Sequence, residues 1–295
     1  MRSLLPISPS FFDQLYADAP PGRVAALQAF RKKHPPASLD VNGATWEYLA
    51  TGSGSQTILF LHGLTGAYDI WWQQIAALQN EFRIISVTYP AVNTLAELES
   101  GVLAILDHEG VAAFHVVGSS LGGYLAQYLV AHHPRRIQRA VFSNTFSPPT
   151  NHYRNKYGLP ANLIPFAPQW LVMSVLKGSF RLSMYPASGK DKFLLAFLNE
   201  MASGRMSKEQ VYGRYRCVVA QFALPAATPV PAMIVQASND PLVPSKLRAK
   251  LRAAYPTAQV VTVNNGHFPY LVTPEDYTQT LVSFFSRGQS RGIKI

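Results

Sequence analysis

Short, continuously apolar runs separated by longer helix-like stretches are the feature that most constrains the fold of this chain. Six such runs predict strands: TILFLH (57–62), RIISVTY (83–89), FHVVGS (114–119), RAVFSN (139–144), AMIVQAS (232–238) and AQVVTV (258–263). Their lack of apolar–polar alternation indicates strands that are buried on both faces of a parallel sheet. Helices are predicted between and after these strands at 69–79, 94–109, 120–132, 245–254 and 274–286. Strand–helix repetition of this kind predicts an α/β fold with a mostly parallel central sheet flanked by helices.

One segment interrupts this pattern, between residues 146 and 225. It is rich in Pro, Tyr, Phe and Met, and helical spacing recurs in it near 166–178, 190–203 and 207–222. A helical insertion between two strands of one sheet is the simplest account of this change. The sequence therefore predicts a core domain over 1–145 and 226–295, with a helical cap, or lid, over 146–225. At the start of the core, ATWEYLATG (44–52) predicts an antiparallel strand at the sheet edge.

Composition excludes several classes of protein. Hydrophobic residues make up 48% of the 295 residues and charged residues 14%, which is unlike a disordered chain. The only cysteine, Cys217, excludes an intramolecular disulfide and a multi-cysteine metal site. Pro6 and Pro9 break the apolar patch at the N-terminus, and no apolar run approaches the roughly 18 residues of a membrane span. A cytoplasmic protein is therefore expected.

Positive charge is concentrated in the predicted cap. The chain carries a net charge of +10, and residues 146–225 contain ten basic and three acidic side chains, a balance of +7. Such a surface attracts anionic lipid or an anionic substrate, or is simply basic and solvated. A membrane-surface partner therefore stays open. No nucleic-acid-binding motif is present in the sequence, so no nucleic-acid partner is predicted.

The candidate nucleophile lies in the segment VVGSSLGGYLAQ. Residues 118–122, Gly-Ser-Ser-Leu-Gly, fit the pattern G-x-S-x-G, with a predicted strand before them and a predicted helix after them. A turn this sharp strains its central residue and lifts that side chain clear of the sheet, at the positive end of a helix. Ser120 occupies that central position, and Ser119 fills the turn. The alternative is a plain glycine-rich turn whose serine caps the helix.

A serine hydroxyl needs a base and an orienting carboxylate to act as a nucleophile. His267 follows the last predicted strand, on a glycine-preceded loop, and Asp240 follows the strand before it. The carboxyl ends of parallel strands are where open α/β sheets place their sites. Asp240 can also be a turn or capping aspartate, which is common before proline. The chain order Ser120, Asp240, His267 matches that of the α/β-hydrolase triad.

Ester cleavage also needs backbone N–H donors for a developing oxyanion. The Leu121 N–H, directly after the nucleophile, is one candidate. The Leu64 N–H, in the segment HGLTG (62–66) after the first parallel strand, is the second, and Thr65 is its alternative. His62 in the same segment is expected to hold the loop rather than to react.

These segments resemble the α/β-hydrolase superfamily: HGLTG, GSSLGG, SNDPLVP and NGHFPYL. A closer likeness is to the maspardin family, through VTYPAVNTLAELESG, SSLGGYLAQYL, RAVFSNTFS, VLKGSF and AAYPTAQVVTVNNGHFPYL. That resemblance implies a hydrolase fold and a binding role, with an incomplete triad in the animal members, which carry asparagine at the position of His267. This chain departs from that pattern by keeping Asp240 and His267 beside Ser120, which favours retained catalysis.

The leading hypothesis is a serine hydrolase that cleaves an ester or related acyl bond through an acyl-enzyme intermediate. An acyltransferase and a non-catalytic maspardin-like binding protein are the alternatives. Four side chains are predicted to line an apolar substrate site, although those in the cap can equally form the cap's own core: Trp71, Trp170, Phe180 and Phe268. A small-molecule acyl or ester substrate is the expected partner, no cofactor or metal is predicted, and the protein is expected to be a monomer or a homodimer.

Overall fold

A computed structural model describes residues 8–226 and 228–286 of the chain. Its eight-stranded sheet has the order β1-β2-β4-β3-β5-β6-β7-β8. The strands are β1 (Ala37–Val41), β2 (Ala44–Thr51), β3 (Thr57–Leu61), β4 (Arg83–Thr88), β5 (Phe114–Ser119), β6 (Ile137–Ser143), β7 (Ala232–Ala237) and β8 (Gln259–Val263). β2 runs antiparallel to both β1 and β4, whereas the strands from β3 to β8 pair in parallel. The predicted α/β fold is confirmed.

Helices follow the parallel strands and also precede the sheet. They are α1 (Pro9–Tyr16), α2 (Pro21–Lys33), α3 (Trp72–Leu78), α4 (Leu95–His108), α5 (Leu121–His132), α6 (Asn151–Leu163), α7 (Gln169–Ser179), α8 (Tyr185–Ala187), α9 (Lys192–Glu200), α10 (Lys208–Val219), α11 (Ser245–Ala254), α12 (Pro269–Val272) and α13 (Pro274–Phe285). Side-chain caps fix several of their starts. At α4, the Glu97 N–H donates to Thr94 Oγ1 at 3.1 Å, which satisfies a backbone donor left free by the first turn.

The sheet separates two apolar clusters. Along β3, Ile58 and Phe60 belong to one cluster, whereas Leu59 and Leu61 belong to the other. Successive strand residues point to opposite faces, so both faces of this strand are buried under helices. This double burial is the physical reason for the continuous apolar runs in the sequence.

The sheet edge differs from the prediction. β2 is antiparallel, as expected for residues 44–52, but it does not form the edge, because β1 pairs along its outer side from Ala37 to Val41. The sequence of β1, ASLDV, alternates apolar and polar residues in place of a continuous apolar run, and only Leu39 and Val41 are half-buried. A strand that buries so little surface leaves no apolar run to detect.

Residues 146–225 contain five helices, α6 to α10. Every residue of this segment is described, and none of them lies in a strand. α7 and α9 both continue into short π-helical turns, at Phe180–Met184 and Met201–Arg205. α7, α9 and α10 were predicted, but α6 and the three-residue α8 were not. The division of the chain into a core and a cap domain stays a prediction.

A buried charge cluster joins α2 to the segment after β3 and to α9. Arg31 Nε lies 2.7 Å from Asp69 Oδ2, and Arg31 Nη1 lies 2.9 Å from Glu200 Oε1. Arg205 Nη1 approaches Asp69 Oδ2 at 2.9 Å. Burial would raise the pKa of Asp69, but Arg205 and Arg31 outweigh it and hold that pKa at about 2. Asp69 therefore stays ionised and fixes the residues that follow the 62–66 loop.

Candidate active site

Ser120 stands at the sharp turn between β5 and α5. Its backbone has φ 55° and ψ −119°, a conformation that costs a non-glycine residue about 1–3 kcal/mol. Three hydrogen bonds hold the turn: the Ser120 N–H donates to Ser143 O at 3.0 Å, and Ser120 O accepts from Thr145 Oγ1 at 2.6 Å and from the Tyr124 N–H at 3.0 Å. This strained central position is the one expected for Ser120. Ser119 is fully buried.

Two glycines make the turn sterically feasible. A Cβ on Gly118 would lie 2.1 Å from Gly122 O, and a Cβ on Gly122 would lie 2.1 Å from Leu61 O. Both clashes are with backbone atoms, which a side-chain rotation cannot relieve. The glycines of the G-x-S-x-G pattern are therefore required by packing at this turn.

Asp240 and His267 form a buried pair. His267 Nδ1 lies 2.8 Å from Asp240 Oδ2, and both side chains are almost completely shielded from solvent. The other carboxylate oxygen, Oδ1, accepts the N–H groups of Leu242 at 2.8 Å and Val243 at 3.1 Å. These bonds fix the carboxylate plane and aim Oδ2 at the imidazole. Nδ1 therefore carries a proton towards Asp240, which leaves Nε2 free to accept one.

The loop that carries His267 is held by two asparagines that the sequence analysis did not identify. Asn144 Nδ2 donates to Gly266 O at 3.0 Å, while Asn144 Oδ1 accepts the Ala237 N–H at 2.7 Å. Asn239 Oδ1 accepts the Gly266 N–H at 3.0 Å. Asn144 thus joins the ends of β6 and β7 to the histidine loop. The signal available in the sequence was its place directly after a strand, in the segment SNTFS.

The 62–66 loop lies against Ser120. A Cβ on Gly63 would come within 3.1 Å of Ser120 Cβ. His62 holds this loop, as expected: Nδ1 lies 2.6 Å from Gly63 O, and Nε2 accepts the Tyr89 N–H at 3.2 Å. Burial, assisted by Arg214, lowers the pKa of His62 well below its usual value, so the ring is neutral and Nδ1 is the donor. Because a trans peptide is planar, fixing Gly63 C=O also fixes the opposed Leu64 N–H.

Arg214 fixes the next part of the same loop. This α10 side chain is fully buried, and Nη1 donates to Leu64 O at 2.8 Å and Gly66 O at 3.1 Å. Nη2 donates to Tyr89 O at 2.8 Å. No carboxylate within the described ranges pairs with it, and burial lowers its pKa to about 10, so it remains charged at neutral pH. This cation, held by carbonyl groups and by the Met206 sulfur at 3.5 Å, places positive charge beside the loop that carries the Leu64 and Thr65 N–H groups. The burial of Arg214 against this loop was not predicted from the sequence.

A cavity of about 460 Å³ lies over these groups. Ser120, His267 and Leu64 line it, together with Phe180 and Phe268, which were predicted as substrate-site residues. Thr65 also lines it. Asp240 does not line the cavity and lies behind His267. Leu121 is buried as the first residue of α5, so its backbone N–H has no helical carbonyl one turn earlier to bond to.

Two of the predicted wall residues do not reach this cavity. Trp71 is fully buried and stacks on Tyr270, with ring centroids 4.1 Å apart, so it belongs to the core. Trp170 lies outside the cavity lining and is 69% exposed on α7. The sequence around an aromatic residue does not show which way its side chain faces. Here Trp71 points into the core and Trp170 points into solvent.

The described residues contain neither a metal-binding cluster nor a membrane-spanning helix. In ranges 8–226 and 228–286, no group of three or more His, Cys, Asp or Glu side chains is arranged to hold a metal ion. Over the same ranges, no helix combines the length and apolarity needed to cross a bilayer. The sequence-based expectation that no cofactor is used stays a prediction.

Comparison with known proteins decides the family. The family model described as alpha/beta hydrolase fold matches residues 56–274. The chain belongs to the α/β-hydrolase fold family. Maspardin from Mus musculus is 24% identical over 220 residues, which cover 72% of this chain and 70% of that protein. The predicted resemblance to an α/β hydrolase with maspardin likeness is confirmed.

Other relatives of this α/β hydrolase have different names. A putative carbamate hydrolase, RutD, from Caulobacter vibrioides is 26% identical over 250 residues, 79% of this chain and 91% of that protein. The dihydrolipoyllysine-residue acetyltransferase component of the acetoin cleaving system of Cupriavidus necator is 33% identical over 107 residues, which span only 29% of its length and 33% of this chain. A solved enol-lactonase from Burkholderia xenovorans superposes with a TM-score of 0.72 at 20% identity, covering 85% of this chain and all of that one. This last likeness concerns the fold alone.

Proposed function

We propose that this α/β hydrolase is a serine hydrolase that cleaves an ester or related acyl bond. One observation carries the proposal: strained Ser120 and His267 line the same cavity, and the imidazole is held by Asp240 at 2.8 Å. A hydroxyl, an imidazole and a carboxylate are the three groups that acyl transfer through a serine nucleophile requires. Membership of a family with hydrolase relatives supports the same reaction class.

In the proposed reaction, Ser120 Oγ attacks the carbonyl carbon while His267 Nε2 takes the hydroxyl proton. The tetrahedral intermediate collapses, and His267 returns the proton to the departing alcohol or amine. A water molecule then attacks the acyl-enzyme with His267 as its base, which releases the acid and restores Ser120. Asp240 keeps the imidazole in the tautomer that can accept at Nε2 and stabilises its charged form.

The oxyanion of both intermediates is proposed to bind at the Leu121 and Leu64 N–H groups. Leu121 supplies a free donor at the start of α5, and the peptide between Gly63 and Leu64 is fixed by His62. The loss of one such donor typically costs 10²–10³-fold in kcat. The Thr65 N–H remains the alternative donor, because the bond from Arg214 to Leu64 O fixes the peptide between Leu64 and Thr65.

The substrate is proposed to carry an apolar acyl group. The cavity volume lies within the usual range for small-molecule sites, and aliphatic cap side chains such as Val172, Leu176 and Met184 form much of its wall. Among p-nitrophenyl esters, chains of intermediate length should therefore be preferred to acetate. Met184→Trp should move the preference towards shorter chains. Leu182→Trp, at an exposed position outside the cavity lining, should leave it unchanged.

A fluorophosphonate probe tests the reaction class directly. The protein should be labelled stoichiometrically, and Ser120→Ala should abolish labelling. Ser119→Ala is the matched control, because its hydroxyl is one residue away but fully buried, and it should still be labelled. Labelling that survives Ser120→Ala at full stoichiometry would overturn the proposal.

The maspardin likeness favours a second candidate, a binding protein that performs no catalysis. The same experiment separates the two. Histidine bases normally become neutral between about pH 6 and 9. If the folded wild-type protein is not labelled by the fluorophosphonate probe anywhere in that range, the result supports the binding protein.

A further inference from the structure

The exposed apolar residues of this protein are concentrated around the cavity mouth. Nine large hydrophobic side chains are exposed within the described residues, and six of them lie between positions 159 and 175. These six define the cap patch: Leu159, Leu163, Phe166, Trp170, Leu171 and Val175. Phe166 is 86% exposed and Leu159 is 78% exposed. A soluble monomer rarely exposes so many neighbouring apolar side chains, and such patches mark interaction sites.

The cap patch and the cavity share residues. Leu163, Leu171 and Val175 are exposed to solvent and also line the cavity above Ser120. Leu159 lies one turn before Leu163 on α6. Phe166 lies in the short turn that connects α6 to α7, and Trp170 lies in the first turn of α7. The patch is therefore continuous with the entrance through which an apolar substrate would pass.

The sequence segment that carries the cap patch holds charge of one sign. Residues 146–190 contain five basic side chains and no Asp or Glu: Arg154, Lys156, Lys177, Arg181 and Lys190. In the part of the chain that the structure describes, none of the five pairs with a carboxylate. Apolar side chains that include Trp and Phe, flanked by unpaired cations, are the combination that binds the interface of an anionic bilayer.

We propose that the cap patch docks on an anionic lipid surface, with the cavity mouth facing the bilayer. The apolar side chains enter the interfacial region, and the five cations contact the lipid phosphates. An apolar substrate dissolved in the bilayer then reaches Ser120 without crossing water. The docking step is separate from the chemistry and does not require the triad.

Vesicle binding tests this proposal, with Trp170 as a built-in reporter. The chain has four tryptophans, and Trp46, Trp71 and Trp72 are buried. Phosphatidylglycerol vesicles should therefore shift the emission of Trp170 to shorter wavelength, and Trp170→Phe should remove that shift. Because the attraction is partly electrostatic, binding to pure phosphatidylcholine vesicles should be at least about tenfold weaker. For the same reason, added salt should weaken binding to the phosphatidylglycerol vesicles.

Paired variants separate the patch from general effects. Leu159→Ser with Phe166→Ser should weaken partition into anionic vesicles by about tenfold or more, since both side chains would otherwise enter the interface. Val260→Ser is the matched control, because Val260 is also exposed but lies on β8, outside the patch, and it should bind within about twofold of wild type. An unchanged thermal unfolding midpoint shows that each variant is folded.

Ser120→Ala should bind vesicles as the wild type does, so a failure of the catalytic proposal would not affect this one. Equal vesicle binding by the patch variant and by Val260→Ser would overturn the docking proposal. A wild-type protein that forms dimers through the cap patch and does not bind vesicles would also overturn it. Sedimentation equilibrium of the wild type and of the Leu159→Ser, Phe166→Ser variant would detect such a dimer.

Discussion

Asp240→Asn should inactivate the enzyme while leaving the fold intact, and the reason lies in the two oxygens of the carboxylate. Oδ1 accepts two backbone N–H groups, from Leu242 and Val243, and Oδ2 faces His267 Nδ1. In the asparagine variant, the amide nitrogen cannot replace Oδ1, because it would oppose two donors. The side-chain oxygen therefore keeps that place, and the amide NH₂ is turned towards His267.

His267 must then accept a hydrogen bond at Nδ1 and carry its proton on Nε2. An imidazole in that tautomer cannot take the proton from Ser120. The same loss of tautomer in a Ser-His-Asp triad lowers kcat by about 10⁴-fold, which is about 5 kcal/mol of transition-state stabilisation at about 1.36 kcal/mol per tenfold.

The measurement is kcat/KM for a p-nitrophenyl ester at pH 7.5, with the thermal unfolding midpoint recorded for each variant. Asp18→Asn makes the same chemical change at a side chain that is 85% exposed, and it should keep wild-type activity. If Asp240→Asn is folded and retains more than about a tenth of the wild-type kcat/KM, Asp240 does not set the tautomer of His267 and the reasoning is wrong.

Three further outcomes are expected. Arg214→Met should lower kcat by about 100-fold with little change in KM, because the Leu64 and Gly66 carbonyls lose their donor and the proposed oxyanion donors of the 62–66 loop lose their position. Arg216→Met, on an exposed face of the same helix, should be neutral in the same steady-state assay. Gly122→Ala should yield little folded protein in expression and circular dichroism trials, because its Cβ would meet the β3 backbone, while Gly22→Ala, with open space around it, should fold normally. Burial, assisted by Arg139, lowers the pKa of His115 to about 4. Because the unfolded chain then binds a proton that the folded protein does not, the free energy of unfolding should fall by up to about 3 kcal/mol as the pH drops from about 6.5 to 4. Urea titrations should show a smaller fall for His115→Leu, and an equal fall would refute this assignment.

Features governed by local pattern could be predicted from the sequence. The strands from β3 to β7 are mostly buried on both faces, so their apolar runs were visible. β8 was predicted from the same kind of run, but it is only half-buried, with Val260 exposed, so the predicted burial of both its faces is wrong. The predicted bounds of all six strands differ from the structure by a residue or two. Ser120 could be located because a G-x-S-x-G turn between a strand and a helix demands glycines at fixed positions. Asp240 and His267 followed from their place after strands, since the topology brings those strand ends to one edge.

Features governed by distant contacts could not be predicted. Arg214 contacts Leu64, 150 positions earlier, and nothing in its own helix shows that its charge is buried. Asn144 similarly bonds to Gly266 across 122 positions. α6 was missed because Gly158 and Pro160 lie inside it, and both residues normally argue against a helix.

The bonds from Arg214 tie α10 to the 62–66 loop and to Tyr89. α10 cannot lift from the core without removing the hydrogen-bond donor from the carbonyl groups of Leu64, Gly66 and Tyr89. An engineer who exchanges part of the 146–225 segment to change selectivity should therefore choose residues within 151–179, several of which line the cavity, and leave 208–219 in place. A graft that replaced all of 146–225 would also remove Arg214, which fixes the 62–66 loop.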